Sequence, residues 1–287
     1  MKRAKNKSIS WVILVLLFLA LAVWWIALSV IKPAGDFPKL VFGASYGAMA
    51  LFGGIYGIAT AKRWGFLKSS FGRAVLFLGV GLLMAEFGQL VFSYYNIISE
   101  VEIPYPSIAD IGFFGNMVFY VVGGLFLTRV LGVGITIKKA PIKLIVSILL
   151  PLALLSASYV LFLKGYDGTE STTLQKILDF GYPLGDAVYV SIALVSLLSV
   201  GRMLGGLLKG PLLAILLAFI VQYSADFNFL YQNQRGTWLN GGYGDFLYLF
   251  AYTIMTASLI YLSTSFKKIG LPATENATDT NSEWQRV

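Results

Sequence analysis

The chain has no cysteine and no histidine among its 287 residues. Without cysteine there is no disulfide framework, no thiolate nucleophile and no thiolate-held metal. Without histidine the commonest metal ligand is gone, and with it the usual haem ligand and the usual general base near neutral pH. Charge is scarce too: charged residues make up 13% of the sequence, against about 25% in a typical soluble domain. The P-loop and H-E-x-x-H signatures are also missing. These deficits argue against one or two soluble domains and leave cofactors and any bound metal unknown.

What is abundant is apolar sequence, at 57% of residues. About 20 apolar residues cross the hydrocarbon core of a bilayer. Eight runs meet that length, at 10–31, 38–61, 70–97, 107–131, 141–163, 182–204, 210–231 and 243–265. The first run is longer than the apolar core of a signal peptide and carries Trp24 and Trp25 near its far end, so it is read as a retained helix. The expected fold is all-α: a polytopic integral membrane protein of about eight transmembrane helices over residues 1–266, with 267–287 as a polar, disordered cytoplasmic tail.

The basic residues fix the expected orientation. Lys62, Arg63, Lys68 and Arg73 lie between or at the facing ends of runs two and three, Arg129, Lys138, Lys139 and Lys143 of runs four and five, and Arg202 and Lys209 of runs six and seven. Under an eight-helix count most lysines and arginines fall on one side, which the positive-inside rule makes cytoplasmic, with both termini. The net charge of +8 is thus a topology signal, and no nucleic-acid partner is expected. Most acids fall on the other side or in the outer halves of helices.

Those acids follow a pattern. Ala109-Asp110, Gly185-Asp186 and Gly244-Asp245 each precede an apolar run, and an aromatic residue follows three positions later: Phe113, Tyr189 and Tyr248. Gly35-Asp36 before Pro38 is a weaker counterpart. "QLVFSYYN" (89–96) also lies over "DFNFLYQN" (226–233), so Gln89 corresponds to Asp226. The pattern predicts pseudo-repeated helical hairpins, a build that often puts the binding site at the repeat interface. An aspartate in a first turn has a plain role as a helix cap, and Pro106 and Pro183 suit helix starts equally well. Capping alone accepts Ser, Thr or Asn, so the recurrence of Asp points to a shared electrostatic role.

Glu86 and Asp226 lie several residues inside their helices. There a carboxylate costs about 2.5–3.5 kcal/mol at mid-membrane on insertion scales, so it is either structurally hydrogen-bonded or functional. Helix rise puts Asp226 and Asp245 at similar depths, able to face each other across a hairpin. The expected ligand-binding set is Glu86, Asp110, Asp226 and Asp245, with Tyr95 and Tyr248 nearby and Asp186 as a simple cap. Gly43/Gly47 and Gly53/Gly57 form G-x-x-x-G spacings that suit close helix packing.

The stretch "YPSIADIGFFGNMVFYVVGGLFL", with "YPLGDAVYVSIAL" and "GGYGDFLYLFAYTIM", resembles multi-helix membrane sensor regions found upstream of diguanylate cyclases, phosphodiesterases and histidine kinases in bacteria and archaea. Pro106, Ser107, Ala109 and Asp110 match the helix start of those regions; Asp226 with Phe229 resembles their acid-bearing helix, and Glu86 matches it imperfectly. The resemblance spans residues 70–265 and implies a non-enzymatic sensor or ligand-binding module in a plasma membrane. No output domain accompanies it in this sequence, so the expected partners are membrane lipids and either a protein partner or a second copy of the chain. A secondary transporter is one alternative. The other is an intramembrane aspartyl protease, because "GYGDF" (242–246) is similar to the G-x-G-D motif of presenilin-type enzymes, with Asp226 as the second acid. The "PAL" element of that family is absent.

Overall fold

The structure is a computed structural model, describing residues 2–131, 141–164, 169, 171–199 and 208–268. It is helical throughout, with no strand among the described residues. In chain order the helices are α1 (Lys2–Ile31), α2 (Phe37–Tyr46), α3 (Ala48–Arg63), α4 (Ser70–Ser93), α5 (Ile108–Val130), α6 (Pro141–Ser158), α7 (Thr173–Ser199), α8 (Lys209–Asn233) and α9 (Tyr243–Lys268). Single π-helical turns, Tyr94–Ile98 and Tyr159–Leu163, extend α4 and α6.

Seven helices are long and apolar enough to cross a membrane, counting α2 and α3 as one span over Phe37–Arg63. The fifth expected span, 141–163, is helical, but its described apolar part is the shorter Ile148–Leu163. The chain is thus an all-helical, multi-pass membrane protein. Of the expected tail, Lys267 and Lys268 belong to α9 and the rest lies outside the described residues.

The spans close into a ring. α3 packs on α4, α4 on α5, α5 on α7, α7 on α8, α8 on α9, and α9 back on α3. α1 lies against α9 and α6 against α7, each outside the ring. In its most apolar stretch α1 is only 17% buried, against 56% for α4 and α9, so α1 faces lipid while α4 and α9 carry the core. Trp24 and Trp25 point inward: Trp24 meets Phe42 edge-on, and Trp25 stacks on Phe246 and donates to the Gly242 carbonyl at 3.0 Å.

Small residues set how near the helices come. A Cβ at Gly57 would lie 2.8 Å from the Gly79 Cα, so α3 and α4 touch backbone to backbone there. A Cβ at Gly112 would lie 2.3 Å from the Gly88 nitrogen, with the same result for α4 and α5. Dispersion between close backbones is a main source of helix association in lipid, where the hydrophobic effect between helices is weak.

One helix start differs from expectation. Pro183 does not open its span; it lies inside α7. Thr172 and Gln175 form a reciprocal capping box instead, with the Thr172 N–H donating to Gln175 Oε1 at 2.7 Å and the Gln175 N–H to Thr172 Oγ1 at 3.2 Å. The polar turns that follow Thr172 extend the helix toward its N-terminus, beyond the apolar run.

Candidate functional site

The ring directs most acidic and phenolic side chains of the spans to one end, where α4 and α8 finish and α5, α7 and α9 begin. The opposite end carries Lys62, Arg63, Lys68, Arg73, Arg129 and Lys209. At the acidic end two centres form, one around α2 and α4, the other around α7 and α8.

In the first centre, Tyr46 donates its hydroxyl to Gln89 Oε1 at 3.0 Å, and Gln89 Nε2 donates to the Gly43 carbonyl at 2.8 Å. That carbonyl lies one turn before Gly47, where α2 gives way to α3. A side chain inserted into the backbone ladder is a recognised cause of such a helix interruption. Glu86, one turn before Gln89, is buried. Its Oε2 has no hydrogen-bond partner, and it rests on the bare backbone of Gly47, where a Cβ would lie 1.9 Å from it. Gly47 therefore makes room for the Glu86 side chain of α4, whereas Gly53 and Gly57 serve close packing. Asp245, in the first turn of α9, is buried beside this centre and accepts from the Gly241 N–H at 2.6 Å. The Tyr46 side chain lies close to its carboxylate.

In the second centre, Tyr189 of α7 donates to Asp226 Oδ2 at 2.5 Å, and Gln222 Nε2 donates to Asp226 Oδ1 at 3.0 Å. Tyr248 of α9 lies close to the same carboxylate. Gln222 is buried and its Oε1 has no partner. Asp186, one turn before Tyr189, is buried and near enough to Asp226 for their charges to interact. Tyr46, Tyr248 and Tyr252 lie within 6.1–6.3 Å of one another, centroid to centroid, and connect the centres. None of Glu86, Asp186, Asp226 and Asp245 pairs with a lysine or arginine among the described residues.

The expected site residues thus fall into different settings. Glu86, Asp226, Asp245 and Tyr248 gather inside the ring. Asp110 forms a capping box with Ser107, accepting from the Ser107 N–H at 2.7 Å, and takes a 2.8 Å hydrogen bond from Tyr182 of α7. Tyr95 lies in the π-helical turn after α4 with its ring against Tyr94. Asp186, expected as a cap, sits roughly 20 Å along α7 at 1.5 Å per residue. Asp226 and Asp245 share no hydrogen bond; each has its own donors. Tyr46, Gln89, Tyr189, Gln222 and Tyr252 complete the site and were not among the expected ligand-binding residues. A signal for Tyr46 does exist: "DFPKLVFGASY" (36–46) lies over "DFGYPLGDAVY" (179–189), placing Tyr46 on Tyr189 and Gly43 on Asp186.

Among the described residues, no group of three or more histidines, cysteines, aspartates or glutamates is arranged to hold a metal ion. The donor set is instead single carboxylates, phenol and amide oxygens, and backbone carbonyls. The fold and this site define a class: a polytopic helical membrane protein with a carboxylate–tyrosine network inside one end of a six-helix ring. Against family models, curated proteins and solved structures the chain shows no match.

Proposed function

We propose that this chain is a non-enzymatic membrane module that binds a monovalent cation, inorganic or a small ammonium ion, in the carboxylate–tyrosine network of its outer half. The observation that carries the reading is Glu86 Oε2, which is buried, unpartnered and lodged against Gly47, with no basic side chain pairing with it. A buried carboxylate without a counter-charge is costly in a low-dielectric interior. A cation beside it removes that cost, and Gln89, Tyr46 and Asp245 supply further oxygens near by. One or two carboxylates with neutral oxygens suit a single positive charge better than a divalent ion, which draws several acids.

The reading includes three further elements. α6 completes an eighth span, so both termini lie in the cytoplasm of a bacterial or archaeal cell and the acidic end faces out. The segments from Asp36 to α5 and from Asp179 to α9 are copies of one unit, related by the Asp-Phe…Tyr correspondence. The cation state is passed to a partner protein, as the resemblance to sensor regions implies.

A transporter needs a polar route to the inner side. Along the α3–α9 seam, Thr256 donates to the Met49 carbonyl at 3.2 Å, Thr60 donates to the Leu259 carbonyl at 3.4 Å, and Arg63 donates to Ser263. These hydroxyls are engaged in helix packing, which leaves the transporter reading without a specific support. The separate partners of Asp226 and Asp245 leave the protease reading in the same position.

The test is thermal unfolding of the purified protein in detergent, at constant ionic strength, in lithium, sodium, potassium, tetramethylammonium or N-methylglucamine chloride. One of the smaller cations is expected to raise the midpoint in a saturable way, by linkage to the folded state. Glu86→Gln should abolish the rise and Asp110→Asn should keep it. A midpoint indifferent to cation identity in the unmutated chain would reject the reading.

A further inference from the structure

The basic end of the ring holds an arrangement that the cation site does not use. Arg73 lies in the first turn of α4 and Arg129 in the last turn of α5. Both guanidiniums sit on one ring: their Cζ atoms are 4.9 Å and 5.2 Å from the centroid of Phe126. Neither arginine has a carboxylate partner among the described residues. Arg73 Nε makes one long hydrogen bond, 3.4 Å to the Ser69 carbonyl. Phe126 stacks in turn on Phe77 at 5.7 Å, and Phe77 on Phe119 at 5.9 Å. A ladder of three aromatic rings therefore descends from the two guanidiniums along the α4–α5 surface, toward the middle of the bilayer. Its rings are half-buried, and Leu125 and Val118 beside them are exposed.

Two like charges on one ring repel each other. The ring attracts each guanidinium, and that attraction does not neutralise either charge. An anion placed between them does. Guanidinium forks match phosphate oxygens in geometry as well as charge. A phosphate bound there, at the level where helices leave the membrane, would hold its acyl chains over the aromatic ladder. Exposed Lys62 and Lys68 at the same end add positive potential that draws anionic headgroups to this face.

We infer that Arg73, Arg129 and Phe126 form a binding site for an anionic phospholipid, its headgroup phosphate between the two guanidiniums and an acyl chain along Phe126, Phe77 and Phe119. The site is independent of the cation reading: it lies at the other end of the ring and shares no residue with it.

The experiment uses the full chain in detergent, with bound lipid counted by native mass spectrometry during titration with phosphatidylglycerol or phosphatidylcholine of the same acyl chains. Phosphatidylglycerol is expected to bind one site at least tenfold more tightly than phosphatidylcholine. Arg73→Gln with Arg129→Gln should erase that preference, Phe126→Leu should weaken it several-fold, and Lys62→Gln should leave it within twofold. If the double variant fails to elute as a monodisperse species, the two single variants decide, each expected to lose at least threefold. Inorganic phosphate at millimolar concentration should not displace the lipid. Equal binding of the two lipids, an undiminished preference in the arginine variants, or displacement by free phosphate would each overturn the assignment.

Discussion

The two centres inside the ring are built alike and charged differently. Tyr46 gives its hydroxyl hydrogen to a neutral amide, Gln89, while Tyr189 gives its own to a carboxylate, Asp226. One turn before each tyrosine stands Gly43 in the first centre and Asp186 in the second. Gly43 contributes its backbone carbonyl, which accepts from Gln89; Asp186 offers a second acid to its centre. The first centre receives its acid from another direction, as Glu86 on α4 lodged against Gly47. One scaffold can therefore hold a neutral or an acidic acceptor at the tyrosine. What differs is whether the acid is hydrogen-bonded within the protein, as Asp226 is, or left open, as Glu86 Oε2 is. Gln222 Oε1 in the second centre is unpartnered too, but it is a neutral amide oxygen, so Glu86 Oε2 is the open carboxylate oxygen on which the cation reading rests.

The strongest way to break the comparison is Asp226→Ala. It strips the acceptor from Tyr189 and Gln222 together, and each buried donor left unpaired costs about 1–3 kcal/mol. A loss of about 3 kcal/mol is expected in denaturant unfolding from mixed micelles, with the cation response of the remaining folded protein intact. A loss of that response would place the cation in the second centre.

Next in size is Gly47→Ala. The new methyl group would overlap Glu86 Oε2, with a Cβ–oxygen distance of 1.9 Å. Overpacking of this kind costs about 1–3 kcal/mol. Glu86→Ala should relieve most of that loss, so the double mutant should be more stable than the sum of the single changes allows. Additive effects would show that Gly47 serves helix geometry and not the carboxylate.

A smaller effect separates the centres directly. Gln89→Glu removes the donor to the Gly43 carbonyl and adds an acid beside Glu86, whereas Asp226→Asn keeps an acceptor for Tyr189. The first change is expected to cost about 1–2 kcal/mol more than the second, since an orphaned buried carbonyl and an unscreened charge are added only there. Equal costs would mean the centres are energetically interchangeable.

Much of this architecture was legible in the sequence. Run length and composition predicted the helical membrane fold, because backbone polar groups in lipid must be satisfied within the span. The depth of Glu86 and Asp226 marked them as residues needing partners, since a carboxylate inside an apolar run is costly wherever it points. The start of α7 was not legible from hydropathy: its first turns are polar, and the Thr172–Gln175 box that begins it lies upstream of the apolar run. Asp186 was misplaced for the same reason, read as a cap when three turns of helix precede it. Tyr46 escaped because a tyrosine in an apolar run is ordinarily core or interface, and only its alignment with Tyr189 separates it from the others.

Asp110 provides the sharpest control. It carries the same small-Asp-x-x-aromatic signature as Asp186 and Asp245, yet its carboxylate is taken up by the Ser107 N–H and by Tyr182. Loss of an N-terminal cap costs about 0.5–2 kcal/mol, typically about 1. Tyr182 loses its acceptor as well, which puts the expected cost toward the upper part of that range. Asp110→Ala is therefore expected to cost about 1.5–2 kcal/mol in denaturant unfolding and to leave the midpoint rise with the preferred cation unchanged. Asp110→Ser should recover part of that stability, because a hydroxyl can replace the carboxylate as a local acceptor. If Asp110→Ala instead abolishes the cation response while Glu86→Gln does not, the signature marks the ligand site and the unpartnered glutamate is a packing feature of α4.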